Sequence, residues 1–199
     1  MQAQKALGLP LAVQVVIHVG IGCGAGWVTL YGGRPAILLG LENIAEEGWS
    51  DRESIRRLLT HEIGHLFLRQ IRRKHHRPIG RGAYWQLFDE GFACLIEQAI
   101  SSGGARSRRS SAYHGERLSE SEMGSLANLF LQAATRKHPV NPFFGSWLEV
   151  NGYSEAGYAL GFHILSRLVQ ASSLLHVALT PHVNNIMRKE LQRHAILGT

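Results

Sequence analysis

Apolar positions along this chain follow one spacing up to about residue 43 and another from about residue 50. Leu11 to Val19 is β-branched and apolar, the composition of a strand. Trp27–Tyr31 and Ala36–Leu39 are two more such runs, and Gly32-Gly33 between them tolerates the positive φ of a hairpin turn. The glycine-rich stretch 20–26 reads as a flexible turn; a strand follows it instead of a helix, so it does not make a dinucleotide-binding loop. Leu41-Glu42-Asn43 closes the last strand, and a short helical or turn stretch leads to Trp49. A small sheet of about three strands is expected within residues 9–43.

From Ser50 the spacing becomes helical. Ile55, Leu58, Leu59, Ile63, Leu66 and Phe67 make an apolar stripe on a helix running to about Lys74, and Ser50 with Glu53 has the form of a capping box. A polar loop, His75 to Ala83, carries Pro78, Gly80 and Gly82. Tyr84–Ile100 is again helical, apolar at Trp85, Leu87, Phe88, Phe92, Leu95 and Ile96. Residues 101–118 are rich in Ser, Gly and Arg and read as a mobile loop. Ser119 and Glu122 form a second capping box, opening a helix to about Lys137 that His138–Pro142 ends. Further helices are expected from Ser154 through Leu168 and from Thr180-Pro181 to about His194. Neither repeat nor linker interrupts the pattern. It predicts one α+β domain over residues 1–199, with a sheet at about 9–43 and a helical part at about 50–199.

Composition adds bounds. With 199 residues and 45% hydrophobic content, the chain can bury one core without disulfide staples. Its two cysteines, Cys23 and Cys94, make neither a metal-type C-x-x-C nor a disulfide framework, which fits a reducing compartment. Cys94 lies in an apolar run and reads as a small core residue. The first apolar segment is interrupted by Gln14 and His18 and lacks a cleavage site, and nothing approaches a membrane span, so a soluble cytoplasmic protein is expected. The formal charge of +6 is concentrated at Arg69, Arg72, Arg73, Lys74, Arg77 and Arg81, and at Arg106, Arg108 and Arg109. The first group sits where a helix dipole favours cations, which with solvation accounts for it without a nucleic-acid partner.

The chemistry lies in the middle of the long helix, at His61-Glu62-Ile63-Gly64-His65. Histidines four apart share a helix face and can bind one metal, while Glu62 on the adjoining flank can take a proton from metal-activated water. A zinc site of this kind needs a third protein ligand. The pattern with a third histidine six residues on fails, because Leu68 and Ile71 stand where its Gly and His would be. An aspartate is possible, but only Asp51 and Asp89 exist in the chain. A glutamate on a second, antiparallel helix remains, and Glu90, twenty-five positions after His65, is well placed for it.

Asp89-Glu90-Gly91-Phe92-Ala93 resembles the E-G-[FL]-A segment of gluzincin metallopeptidases. The resemblance implies zinc held by His61, His65 and Glu90, with Glu62 as general base. Asp89 stands where many relatives have Asn, and Cys94 where thermolysin-type members have Asp. Gly157-Tyr158-Ala159-Leu160-Gly161-Phe162-His163-Ile164 is similar to the G-Y-x-x-G-[FY]-x-I segment of bacterial gluzincins described as predicted zinc-dependent proteases, and more distantly to the Y-x-x-G of gluzincin aminopeptidases. That likeness implies Tyr158 as the oxyanion donor; Tyr153 is the reserve for that role, and His163 reads as a packing or supporting residue. Gly40-Leu41-Glu42-Asn43 is similar to the G-x-M-E-N edge strand of the aminopeptidases, which would make Glu42 a substrate-binding carboxylate.

The expected architecture is therefore a minimal zincin-like fold, a small sheet packed on the active-site helix with a mainly helical remainder. The expected activity is zinc-dependent hydrolysis of peptide bonds in a peptide or protein substrate. Two alternatives stay open: a non-catalytic zinc-containing module that binds an acidic partner or nucleic acid, and a metal-dependent hydrolase of a non-peptide amide.

Overall fold

A computed structural model describes residues 12–20, 22, 24–101 and 118–197. The expectations for residues 1–8, for Leu11, Cys23 and the arginines 106, 108 and 109 lie outside the described residues, as does nearly all of the 101–118 segment. The architecture is α+β. Strands β1 (Gln14–His18), β2 (Gly26–Tyr31) and β3 (Arg34–Gly40) form a sheet of order β1-β3-β2. The β2–β3 hairpin is antiparallel, turning at Gly32 and Gly33 with φ of 57° and 75°, and β1 runs parallel to β3. The chain enters β2 across the end of β3, where Gly40 N–H donates to the Ala25 carbonyl at 3.0 Å. A Cβ at Gly40 would lie 2.7 Å from the Gly24 carbonyl oxygen, so this crossing needs glycine.

The helices are α1 (Leu41–Glu46), α2 (Arg52–Lys74), α3 (Ala83–Ser101), α4 (Glu120–Thr135), α5 (Ala156–Ala171), α6 (Leu174–Ala178) and α7 (Val183–Leu197). A 3-10 turn at Asn141–Phe144 and a two-residue hairpin, β4 (Glu149–Val150) with β5 (Tyr153–Ser154), precede α5. The short elements α1, α6 and β4–β5 are too brief to show a period in sequence.

Helix α2 starts one residue later than its sequence suggests. Asp51, not Ser50, is the cap: its carboxylate accepts the Glu53 and Ser54 N–H groups at 2.9 and 3.0 Å. Glu53 cannot reach back because Arg56 engages it at 2.6 and 3.0 Å. At Ser119 the expected capping box forms, with Glu122 accepting the Ser119 N–H at 2.7 Å.

Two apolar clusters meet at α2. Ile37, Leu39, Ile44 and Leu66, with Ile55, Leu58, Leu59 and Ile63 against them, join the sheet to one side of the helix. Phe67, Leu68 and Ile71 belong to the larger helical core around Phe88, Phe92, Phe130 and Leu160. Arg72, counted above among the surface cations, is 2% exposed. Its guanidinium donates to the carbonyls of Pro78, Ala178 and Thr180 at 2.9, 2.8 and 3.2 Å and lies over the Trp85 ring, tying the α2–α3 loop to the end of α6.

Helix α3 is held between α2 and α5 at backbone contact. A Cβ at Gly64 would sit 2.7 Å from Ala93 Cα, and one at Gly91 would sit 2.5 Å from the Gly161 carbonyl carbon. At an open helix position Gly→Ala stabilises by roughly 1 kcal/mol. At Gly91 the sign should reverse: Gly91→Ala is expected to destabilise by about 1–3 kcal/mol, the range for overpacking. Denaturant unfolding checks this, and a midpoint at or above the parent's would show that the α3–α5 spacing is not limiting.

Candidate metal centre

The α2–α3–α5 packing brings the His pair and Glu90 to one point. His61 and His65 lie at 6% and 7% exposure, and Glu90 on α3 faces them at the floor of a cleft. Glu90 Oε2 is 3.2 Å from His61 Nε2 and 3.4 Å from His65 Nε2. One donor atom from each of the three residues lies within 4.8 Å of the other two, a spacing that can hold a metal ion. Asp89, the other acidic option, points elsewhere: His65 Nδ1–H donates to its carboxylate at 2.9 Å.

Each imidazole thus has a carboxylate behind it. Asp89 holds the His65 proton on Nδ1 and leaves Nε2 to face Glu90. Glu97 Oε2 lies 3.8 Å from His61 Nδ1, and Arg57 anchors Glu97 at 2.8 Å. Carboxylates behind metal-binding histidines set the tautomer and raise ligand basicity. Sequence reasoning missed both roles. The carboxylate lacking at position 94 comes from one turn further along α3. A usable signal existed, because residues 90 and 97 are two helical turns apart and share a face.

The other candidates are sorted by the fold. Glu62 is 4% exposed and lines the cleft beside the histidines, against β2: a Cβ at Gly26 would come 3.0 Å from its Oε1. Tyr158 lines the same cleft, its ring 5.7 Å from that of His61 and 5.4 Å from that of Phe144. Gly157 makes room for these edge-to-face contacts, since a Cβ there would meet the Phe144 ring. Tyr153 is directed away, its hydroxyl donating to Glu122. Glu42 is in the first turn of α1 instead of a strand, is not among the cleft-lining residues, and accepts the Gly20 N–H at 2.9 Å. Cys94 is buried, and burial pushes its thiol up to about 11, which keeps it protonated.

The cleft encloses about 300 Å³ between the first half of β2, α2 and the start of α5. Its lining also includes Trp27, Trp49 and Trp147 together with Glu47 and Glu155. Burial, and then the nearby Glu47 carboxylate, raises Glu155 to about 7. Sequence analysis gave no role to this residue, which holds a left-handed φ of 56° at the start of α5.

Electrostatics at the floor favour a cation. The carboxylates of Glu62, Asp89, Glu90 and Glu97 surround two imidazoles, and Arg57 offsets one of them. Burial alone would lower the proton affinity of His65, yet Asp89 and Glu90 reverse this and raise it to about 10. His61 is raised too, because contacts with Cys94, Glu90 and Glu97 outweigh its burial. Glu90, despite burial, is held well below the ordinary carboxylate range by the two histidines. The site therefore needs positive charge, from protons or from a divalent ion, and two imidazoles with a carboxylate form a donor set suited to zinc. The chain matches no protein-family model, no curated protein and no solved structure.

The raised affinity of His65 has a stability consequence. With the folded value near 10 against an ordinary 6.5, its stabilisation of the metal-free protein is complete below about 6.5 and is lost as pH rises through 10. The thermal midpoint of metal-free protein is expected to fall across that interval, and His65→Gln is expected to flatten the profile. Melts recorded across the interval check this; a parent profile already flat there would show that His65 is not charged in the folded state.

Proposed function

We propose that this protein is a zinc-dependent metallopeptidase in which His61, His65 and Glu90 hold the metal, Glu62 carries the proton and Tyr158 steadies the developing oxyanion. One observation carries the reading: a buried carboxylate, Glu62, stands beside the convergent His61–His65–Glu90 donors and opens to the same cleft. Metal binding alone needs three ligands, whereas hydrolysis also needs a base. The likeness of residues 61–65, 89–93 and 157–164 to gluzincin segments points the same way.

Zinc, when bound, supplies Lewis acidity and lowers the pKa of water towards neutrality. The protein's own residues do the rest. Burial raises the basicity of Glu62, against the opposing charges of His65 and His61, so its carboxylate can accept a proton from the attacking water. The same group returns that proton to the leaving amine. Burial also keeps the Tyr158 hydroxyl protonated, so that it can donate to oxygen as negative charge develops. The start of β2, which pairs only with β3 among the described residues, forms one wall and can align an extended chain. Glu47 in the lining, joined by Glu155 as pH rises through about 7, favours substrates with a positive group near the scissile bond.

Variants separate these roles. Glu62→Gln is expected to keep zinc and lose about 10²–10⁴-fold in turnover of any peptide the parent cleaves. Tyr158→Phe is expected to lose roughly 10²–10³-fold in kcat with metal and fold unchanged. Full activity in Glu62→Gln would remove Glu62 as base, and a parent inactive on a broad peptide library would favour a binding module instead.

The carboxylates behind the histidines make a separate prediction. Asp89→Asn and Glu97→Gln are expected to weaken zinc binding by about 10–100-fold while leaving its stoichiometry unchanged. His65→Ala should remove one equivalent outright. Competition against a chromogenic chelator measures both effects, and unchanged affinity in Asp89→Asn would deny Asp89 its orienting role.

A further inference from the structure

On the far side of α5 from Tyr158, three helices bring a second set of donors together. Glu120 is the first residue of α4, His163 lies on α5 and His194 on α7. One donor atom from each of the three falls within 4.8 Å of the others. The two imidazoles meet edge to face, with ring centroids 4.9 Å apart. His194 is 2% exposed, and its Nδ1 is buried without a hydrogen-bond partner. Nε2 of His163 is likewise buried and unpartnered. Buried polar atoms almost always have partners, so an orphaned nitrogen on each of two touching rings calls for an explanation.

We propose that Glu120, His163 and His194 form a second divalent-metal site, a structural clamp that ties α7 to α4 and α5. The donor set suits zinc or a similar first-row ion: two imidazoles and one carboxylate. Burial lowers the proton affinity of both rings, which leaves their lone pairs available at neutral pH. Glu120 is exposed, so solvent can fill the remaining coordination position. None of the three lines the catalytic cleft, and the ion here would act by cross-linking helices 43 and 31 residues apart in sequence at His163 relative to Glu120 and His194. A metal that binds only the folded chain stabilises it by mass action.

The test uses the full chain, stripped of metal and dialysed against Zn²⁺, with elemental analysis and thermal melts as readouts. The parent is expected to take up two equivalents, and His65→Ala, which lacks the first site, one. Adding His163→Asn to His65→Ala is expected to remove that remaining equivalent and the zinc-dependent rise in melting temperature. Adding Glu120→Gln instead, at an exposed position that does not threaten the fold, should weaken the second site at least tenfold. A His65→Ala protein that binds no zinc, or a second equivalent that survives both His163→Asn and Glu120→Gln, would overturn the proposal. Zinc content equal in parent and His65→Ala, and lost with His163→Asn, would support this clamp while refuting the first ligand set.

Discussion

Everything at the candidate centre depends on how closely α3 can lie between α2 and α5. Gly64 rests on Ala93, and Gly91 rests on Gly161, in each case with no room for a side chain. These contacts explain the run from 90 to 93 residue by residue. Glu90 faces the histidines, Gly91 admits α5, Phe92 is fully buried in the helical core, and Ala93 is small enough to meet Gly64. Widening either contact would carry Glu90 away from His61 and His65, or α5 and its Tyr158 away from both.

Close packing also sets the electrostatics. Because the residues at the floor of the cleft are largely buried, its carboxylates gain little from bulk solvent and rely on protons, hydrogen bonds or metal. Arg57 satisfies Glu97, and His65 satisfies Asp89. Glu90, shared between two imidazole nitrogens, remains the point at which a cation is needed most. The His163–His194 pair is the converse case, with rings that burial keeps neutral and the Glu120 carboxylate beside them. There the unmet need is for partners to buried nitrogen atoms instead of compensation for negative charge.

Hydrophobic spacing together with cap signals at Ser119 and Thr180-Pro181 located the three main strands and the five long helices, because each reports its own local geometry over a few turns or pleats. The His61–Glu62–His65 face could be read in the same way, since residues four apart on a helix are neighbours whatever the rest of the chain does. Helix, loop and antiparallel return brought residues 89–90 back to the pair and favoured Glu90, but adjacent residues on one helix point in different directions, and the fold had to show that Glu90 is the one that faces both histidines.

What sequence could not determine was contact between distant segments. Glu42 and Tyr153 carry suitable groups, but Gly20 N–H and Glu122 engage them. Arg72 looks like one more cation at a helix end, yet three carbonyls from two later segments surround it. Asp51 rather than Ser50 caps the helix, its carboxylate taking the Glu53 and Ser54 N–H groups while Glu53 pairs with Arg56. Glu120, His163 and His194 stand on three helices with no shared period, so nothing local could join them. Side-chain chemistry and local period are written in the order of residues; which groups meet is decided by how closely the helices pack.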